Sequence, residues 1–224
     1  MNNQTGILLV NKAANKTSFS LVSILRKLTN IKKIGHAGTL DPFATGLMIM
    51  LIGKDYTKKS DKFINHGKEY LCTLHLGYTT ETFDTESEKV LVSKKVPTFD
   101  EIKKVIDLFQ GEQKQIPPMY SAKKIKGQKL YDLARKGISI KREPINVNIE
   151  IKIENYSYPY LDLKVSSSKG TYIRTLANDI GEKLKTGAYL TKLIRTRCGP
   201  FHLKDAIDQE KLSANINLTP LLIK

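Results

Sequence analysis

An unbroken apolar run at residues 47–52 constrains the fold of this 224-residue chain more than any other feature. Gly46 and Gly53 bound the run, and a short segment that is apolar at every position predicts a strand buried on both faces. The loop directly before it, residues 35–46, contains three glycines and the pair Asp41-Pro42. Glycine permits positive φ and proline fixes φ, so this backbone is suited to hold the Asp41 carboxylate still. A plain turn begun by Asp-Pro is the alternative interpretation.

The charge of the chain points to a polyanionic partner. The formal net charge is +15, and lysine and arginine are spread along the whole length. Such a chain is expected to bind a polyanion, because its cations replace condensed counterions on phosphates. A lysine-rich surface that reflects only a biased composition is the alternative, and charge alone does not identify RNA.

The remaining composition argues against metal, disulfide and membrane functions. Cys72 and Cys198 lie far apart in the sequence, which is typical of reduced, buried thiols. The four histidines form no close pair near acidic residues, so we expect no metal site. The first residues lack a basic segment before an apolar stretch, and no run approaches the roughly 18 apolar residues that span a bilayer. We therefore expect a cytoplasmic protein.

Strands and helices are predicted without a strict alternation. Residues 7–10 form a strand, and Thr17 or Ser18 caps the helix that follows. A strand at 68–77 begins near Tyr70, and the polar segment 79–87 is predicted to be a surface loop. Helices are predicted after the capping box at 98–101 and around 130–134; strands at 145–153 and 158–166; a helix opening in 168–176; and a last strand at 190–196.

This mixture predicts an α+β fold with a mixed, largely antiparallel sheet. No linker rich in Gly, Ser or Pro divides the chain, so we expect one catalytic domain over residues 1–224.

The segment at residues 35–46 reads Gly-His-Ala-Gly-Thr-Leu-Asp-Pro-Phe-Ala-Thr-Gly. It resembles the catalytic motif of the TruB family, the bacterial tRNA pseudouridine synthases that modify uridine 55. The resemblance runs from about Gly6 to Phe201. It implies a pseudouridine synthase fold, whose central sheet is flanked by helices and loops, and an RNA-binding isomerase that acts on the tRNA T-loop. It also implies that Asp41 is the essential residue and that no cofactor is needed.

The chemistry implied by the resemblance suits a carboxylate. The bond from uracil to the ribose must break, the base must turn, and a new bond must form at C5. An ionised carboxylate can attack C1′ of the ribose, or it can help to form a glycal by taking the C2′ proton. The sequence leaves both routes open. The target base must also leave its stack to be reached, which requires a pocket with stacking groups.

Four further residues match family positions at that pocket. By resemblance, Tyr70 stacks on the target base and helps to remove the C5 proton at the end of the reaction. Tyr172 lines the uracil pocket, and Leu193 packs against the base. Arg174 pairs with Asp41, for which an always-charged, bidentate guanidinium is suited.

Three other positions match the family in lesser roles. His36 matches a histidine that is inserted into the RNA loop to replace the stacking of the flipped bases. Asp84 matches an acidic position near the active-site arginine. Arg195 matches a basic position in the last predicted strand.

The resemblance also leaves open how tRNA is held. Bacterial members usually carry a small C-terminal RNA-binding PUA domain. We expect no such domain here, because the residues between Phe201 and Lys224 are too few for one. We expect a monomer. The alternatives are a guide-RNA-dependent pseudouridine synthase, which shares the core motif, and a non-catalytic tRNA-folding protein, which would tolerate the loss of Asp41.

Overall fold

The computed structural model describes residues 4–125 and 127–224. The strands are β1 Gly6–Lys12, β2 Ile34–His36, β3 Thr45–Ile52, β4 Lys68–Leu76, β5 Tyr78–Thr80, β6 Lys89–Leu91, β7 Gly111–Gln115, β8 Lys124–Ile125, β9 Gln128–Lys129, β10 Ile145–Ser157, β11 Tyr160–Ser167, β12 Ala188–Cys198, β13 Phe201–His202 and β14 Ile207–Asp208. The helices are α1 Ser18–Thr29, α2 Lys54–Thr57, α3 Ser60–Ile64, α4 Phe99–Asp107, α5 Leu130–Ala134 and α6 Ile173–Leu184. Short 3₁₀ turns follow at Leu203–Asp205, Gln209–Lys211 and Thr219–Leu221.

The chain divides into two compact units. The first contains the described residues up to Leu71 together with Leu193–Lys224, and the second contains Cys72–Lys192.

The sheet of the first unit places its strands in the order β14, β1, β3 and β12. The pairs β1·β14 and β3·β12 are parallel, whereas β1·β3, β2·β3 and β12·β13 are antiparallel. The predicted buried strand is confirmed as β3, which has neighbours on both of its edges. Its central position is the physical reason for the unbroken apolar run.

Both faces of β1 and β3 are covered. On one face, Ile7, Leu9, Leu47, Ile49 and Leu51 form a core with Cys198, against which Phe63 and Phe201 pack. The alternate residues, among them Leu8 and Met48, point to the other face and are also buried. Helix α1 begins at that second face, where the Ser18 hydroxyl lies 3.9 Å from the Met48 sulfur. Thr17 caps the helix as predicted by accepting from the Ser20 N–H.

The second unit contains the antiparallel strands β7, β10 and β11 and the end of β4. Strand β4 neighbours β11, β11 forms a hairpin with β10, and β10 pairs with β7. The capping box at Thr98 and Glu101 opens helix α4 as predicted. Helix α6 follows the β10–β11 hairpin. The α+β class with a mixed, largely antiparallel sheet is confirmed.

The surface loop predicted at residues 79–87 is wrong in part. Its first residues belong to strand β5, which pairs with β6. The side chains of Thr80, Thr82 and Asp84 are buried despite their polarity. They are buried because they form hydrogen bonds within the segment, as the Thr80 hydroxyl does by donating to the Asp84 carbonyl at 2.8 Å.

Candidate active site

Both backbone polar groups of Leu40, the residue before Asp41, form hydrogen bonds with one side chain. The buried Ser18 hydroxyl donates to the Leu40 carbonyl and accepts the Leu40 N–H, each at 3.0 Å. A hydroxyl has one donor and two acceptor positions, so a single serine can make both bonds. The backbone that enters Asp41 is therefore fixed by the first residue of helix α1.

The residue after Asp41 is held by a buried lysine. The Lys12 side chain is 0% exposed, and its Nζ donates to the carbonyls of Ala13, Lys16 and Pro42 at 2.9, 2.7 and 3.1 Å. The Asn15 N–H donates to the same Pro42 carbonyl at 2.8 Å. A buried ammonium is tolerated here because three carbonyls replace its hydration.

Arg195 braces the start of the Asp41 loop and is only 1% exposed. Its Nε donates to the Leu47 carbonyl at 2.7 Å, and its Nη2 donates to the Gly38 carbonyl at 3.2 Å. A longer contact of 3.4 Å joins Nη1 to the Thr39 carbonyl. The guanidinium thus links the loop to strand β3 with three of its donors.

The close approach of β12 to the end of the loop requires a glycine. Gly46 has φ +106°, and a Cβ at this position would lie 2.5 Å from the Arg195 carbonyl oxygen. Any side chain would therefore clash with the backbone of β12. The glycine in the motif keeps Arg195 next to the loop that it braces.

Tyr70 lies in the electrostatic neighbourhood of both Asp41 and Arg195. Burial raises the pKa of its hydroxyl, the hydrogen bond and charge of Arg195 oppose the rise, and the Asp41 charge adds to it. The ring is 7% exposed. Tyr70 therefore keeps its proton at neutral pH, as a neutral phenol on which the Asp41 charge acts.

His36 ends strand β2 at the start of the motif. Burial lowers the pKa of the imidazole, and the Arg195 charge lowers it further, while a hydrogen bond with the Gly38 backbone opposes both. The ring is therefore neutral at neutral pH and suited to stacking more than to ion pairing. Leu193, the first β12 residue of this unit, is buried.

In the second unit, Arg174 is the centre of a buried polar cluster. It lies in the first turn of α6 and is 4% exposed, so it is not an ordinary surface arginine. Its Nη1 donates to the Thr82 carbonyl at 2.8 Å, and its Nη2 donates to the Tyr120 carbonyl at 2.6 Å. Nη1 also lies 3.5 Å from Oδ2 of Asp84.

Asp84 is held in place by its own segment. Its Oδ1 accepts the Thr82 hydroxyl at 2.5 Å and the Glu86 N–H at 2.9 Å. These bonds leave Oδ2 facing Arg174. A buried carboxylate with hydrogen bonds and a cation beside it is a satisfied ion pair, and the loss of either partner would leave an uncompensated charge.

Tyr172 stands at the N-cap of α6, and its backbone is fixed by Gln115 at the end of β7. The Gln115 Oε1 accepts the Tyr172 N–H at 2.7 Å, and Nε2 donates to the Tyr172 carbonyl at 3.0 Å. Gln115 is 3% exposed. The Gln115 carboxamide thus bonds both backbone groups of Tyr172, as the backbone of a neighbouring strand would in a sheet.

The predicted site residues fall into two groups. His36, Asp41, Tyr70 and Leu193 belong to the first unit. The charge of Arg195 acts on both His36 and Tyr70, and the charge of Asp41 acts on Tyr70. The second unit holds Asp84, Tyr172 and Arg174, of which Asp84 lies beside Arg174. The pairing of Arg174 with Asp41 stays a prediction.

Sequence reasoning missed two bracing residues, Lys12 and Gln115, and understated two others, Arg195 and Ser18. Arg195 shares the parity of the buried Leu193 along β12, and this alternation could have revealed its inward direction. Lys12 and Gln115 carried no such signal, because lysine and glutamine are usually exposed. Ser18 was considered only as a helix cap.

The described part of the chain contains neither a cluster of metal-binding side chains nor a helix that could span a membrane. Residues 4–125 and 127–224 contain no group of three or more His, Cys, Asp and Glu side chains that could hold a metal ion. No helix within those residues is long and apolar enough to cross a membrane.

Two family models match the chain in succession. Residues 26–173 match the N-terminal domain of the TruB family of pseudouridylate synthases. Residues 174–219 match the tRNA pseudouridylate synthase B C-terminal domain. The fold and the motif loop are therefore those of the pseudouridylate synthase class.

Relatives match over nearly the whole chain. The tRNA pseudouridine synthase B of Protochlamydia amoebophila is 49% identical over 219 residues, which cover 98% of this chain and 84% of that protein. The protein of the same name from Chlamydia felis is 53% identical over 203 residues, covering 91% and 86%. The chain belongs to the TruB family of pseudouridylate synthases, and the predicted enzyme class, an isomerase, is confirmed.

Solved structures share the fold. A Cbf5-Nop10-Gar1 complex contains a chain that matches with a TM-score of 0.72 at 28% identity, covering 92% of this chain and 53% of that one. A structure described as an H/ACA RNP bound to a substrate RNA containing 2'-deoxyuridine matches with a TM-score of 0.68 at 26% identity, covering 92% and 52%. The chain thus spans about half the length of these solved chains.

Proposed function

We propose that this chain converts uridine 55 in the T-loop of tRNA to pseudouridine, with Asp41 as the catalytic nucleophile or base. The observation that carries the proposal is the bracing of the Asp41 loop by Lys12, Ser18 and Arg195. A reacting group gains most from being held in a fixed position before the substrate arrives. A loop that only turned the chain would not require three buried polar side chains.

The choice of substrate has two supports. The relatives from Protochlamydia and Chlamydia are named tRNA pseudouridine synthases, and the net charge of +15 suits an RNA partner. The proposed enzyme acts as a monomer, without a guide RNA and without a cofactor.

The reaction balances without any other reactant. The bond between N1 of uracil and C1′ breaks, the base turns, C5 bonds to C1′, and the C5 proton is transferred to N1 through the site or solvent. In one route, the Asp41 carboxylate forms a bond to C1′ that the returning base displaces. In the other, it takes the C2′ proton and later returns it. Both routes need an ionised carboxylate at the same place.

The other site residues position the target uracil in the pocket. A neutral Tyr70 ring is suited to stack on uracil and to help in the removal of the C5 proton. Leu193 supplies an apolar surface against which the base packs. Tyr172 lines the pocket in this proposal, and Arg174 stabilises the Asp41 carboxylate.

The decisive experiment maps pseudouridine in unmodified tRNA by carbodiimide-dependent reverse-transcription stops. With purified protein and no guide RNA, we expect a stop at the T-loop uridine. Asp41→Asn should abolish it, whereas Asp55→Asn, the same change at an exposed carboxylate of α2, should not. A T-loop stop that persists in Asp41→Asn would favour a different catalytic group. Binding and refolding of tRNA without any stop would favour the folding protein, and a stop that appears only with added guide RNA would favour the guided enzyme.

A further inference from the structure

Met48 lies within β3 and is 0% exposed, yet its sulfur contacts two polar side chains. The Nη2 of Arg195 donates to the sulfur at 3.1 Å. The Ser18 hydroxyl lies 3.9 Å from the same sulfur. Burial alone would be satisfied at this position by leucine or isoleucine, as it is at the neighbouring Leu47 and Ile49. The two polar contacts therefore indicate a role for the sulfur that burial does not explain.

The sulfur is one of two acceptors for the Nη2 group of Arg195. This nitrogen carries two hydrogens, and it donates to the Gly38 carbonyl at 3.2 Å as well as to Met48. A thioether is a weak acceptor, but a charged donor strengthens the bond. The guanidinium is always charged and almost fully buried, so the loss of an acceptor would leave a buried N–H unsatisfied. Met48 thus helps to fix the direction in which Nη2 faces Gly38.

The Ser18 hydroxyl contacts the same sulfur. Its one hydrogen is donated to the Leu40 carbonyl at 3.0 Å, so the longer approach to Met48 is a packing contact. Close packing in a protein interior restricts the rotation of a side chain. The sulfur therefore helps to keep the hydroxyl where it also accepts the Leu40 N–H.

We propose that Met48 is a positioning residue for Asp41 and acts through the two side chains that meet at its sulfur. Arg195 holds Gly38 and Ser18 holds Leu40, and both of these loop residues shortly precede Asp41. One buried atom thus sets two braces of the same loop. The inference rests on the proposed function for the role of Asp41 in catalysis.

Met50 provides a matched control. It lies two positions along the same strand, so its side chain points to the same face, and it is also 0% exposed. Its sulfur takes no part in the contacts with Ser18 and Arg195. Leucine is close to methionine in volume, so a Met→Leu change at either position keeps the core filled and removes the sulfur.

The test compares Met48→Leu with Met50→Leu in the steady-state kinetics of pseudouridine formation. Met48→Leu should lower kcat about tenfold and change KM less than about twofold, because Asp41 is less well placed while the RNA contacts remain. Met50→Leu should leave both values near those of the wild type. Urea unfolding should give similar midpoints for the two variants.

Amide hydrogen exchange reports on the loop without any reaction. In Met48→Leu, the Leu40 N–H, which donates to Ser18, should exchange about tenfold faster than in the wild type. The Ala37 N–H donates to the Ile49 carbonyl at 3.0 Å and should exchange as in the wild type, because its partner is the strand and not a brace. Neither exchange rate should change in Met50→Leu.

A double variant tests whether Met48 acts through the brace at Ser18. The kcat losses of Met48→Leu and Ser18→Ala should overlap, so that the double variant loses less than the product of the two factors. A loss equal to that product would overturn the inference.

Two further outcomes would also overturn it. Equal effects of the two Met→Leu changes, or faster exchange at both Leu40 and Ala37, would show that the sulfur only fills the core. Faster exchange at Leu40 with an unchanged kcat would show that the order of the loop does not limit catalysis. If the wild-type protein forms no pseudouridine in tRNA, the proposed function fails, and exchange at Leu40 alone decides whether Met48 holds the loop.

Discussion

The carboxamide of Gln115 binds both backbone polar groups of Tyr172, accepting its N–H at 2.7 Å and donating to its carbonyl at 3.0 Å. A second glutamine makes the same pair elsewhere. Gln110 accepts the Ile151 N–H at 2.9 Å and donates to the Ile151 carbonyl at 2.7 Å. The two clamps have the same chemistry, but only the first holds a residue proposed to touch uracil.

Gln115→Glu should lower kcat about tenfold or more, because a carboxylate cannot donate to the Tyr172 carbonyl and the tyrosine would shift. Gln110→Glu should leave kcat near the wild-type value. Both changes should lower the free energy of unfolding by about 1–3 kcal/mol. Single-turnover kinetics and denaturant unfolding of the two variants provide the comparison. Equal losses of kcat would show that the effect of Gln115 is only structural.

Ser18→Ala should reduce kcat by about 10- to 100-fold with little change in the affinity for RNA, since Leu40 loses both of its hydrogen bonds and Asp41 is less well placed. Ser20→Ala removes a hydroxyl from the same helix end, where it donates only to the Thr17 carbonyl, and should have little effect on turnover. Separate measurement of kcat and KM checks the prediction. A raised KM with an unchanged kcat would contradict it.

Lys12→Met should destabilise the fold by about 2–4 kcal/mol, because three backbone carbonyls lose a charged donor from a buried lysine. Lys16→Met removes an exposed lysine four residues along and should change stability by about 0.5 kcal/mol or less. Urea unfolding curves of both variants measure the difference. A Lys12 variant as stable as wild type would show that water replaces the ammonium.

Because of His36, the free energy of unfolding should decrease when the pH falls into the mildly acidic range. Burial and the Arg195 charge lower its pKa in the folded chain, so the unfolded chain binds the proton more readily. Stability is then fully present above the ordinary value of 6.5 and falls as the pH drops through that value towards the lower folded pKa. His36→Gln should reduce this slope, whereas His202→Gln, at an exposed position, should not. Unfolding free energies between about pH 5 and 8 test the sign.

Binding of tRNA should weaken steeply with salt. The net charge of +15 implies that several lysines and arginines displace counterions, so the logarithm of affinity should fall linearly with the logarithm of salt concentration. Affinity measurements across a salt series give the slope. A flat plot would rule out a mainly electrostatic interface.

Periodicity predicted the longer strands and helices but not the short elements such as β7 and α3, because only a longer element repeats its buried positions often enough to be recognised in the sequence. Residues 47–52 of β3 are all apolar because both faces of the strand are covered. In the capping box of α4, the side chains of Thr98 and Glu101 bond backbone N–H groups at the start of the helix. Both signals are local. The loop predicted around Asp84 failed for the opposite reason, since polarity alone does not tell an exposed carboxylate from one whose hydrogen bonds are satisfied inside the protein.

The bracing residues were hidden because their partners are distant backbone carbonyls. Arg195 reaches Gly38 across 157 positions, and Gln115 reaches Tyr172 across 57. Every residue has a backbone carbonyl, so the sequence contains no signal that shows which carbonyl a side chain will bind. The motif predicted the role of Asp41, whereas only the fold shows which residues hold the loop around it.

The braces around Asp41 also determine when the loop becomes ordered. Fixing a residue's backbone opposes association by about 1–2 kcal/mol if it happens on binding. Here the bonds come from the chain's own lysine, serine and arginine, so this entropy is lost during folding and does not weaken the complex. In an enzyme of the proposed kind, the free energy gained from RNA contacts is then available to unstack the target nucleotide, because none of it is needed to order the loop.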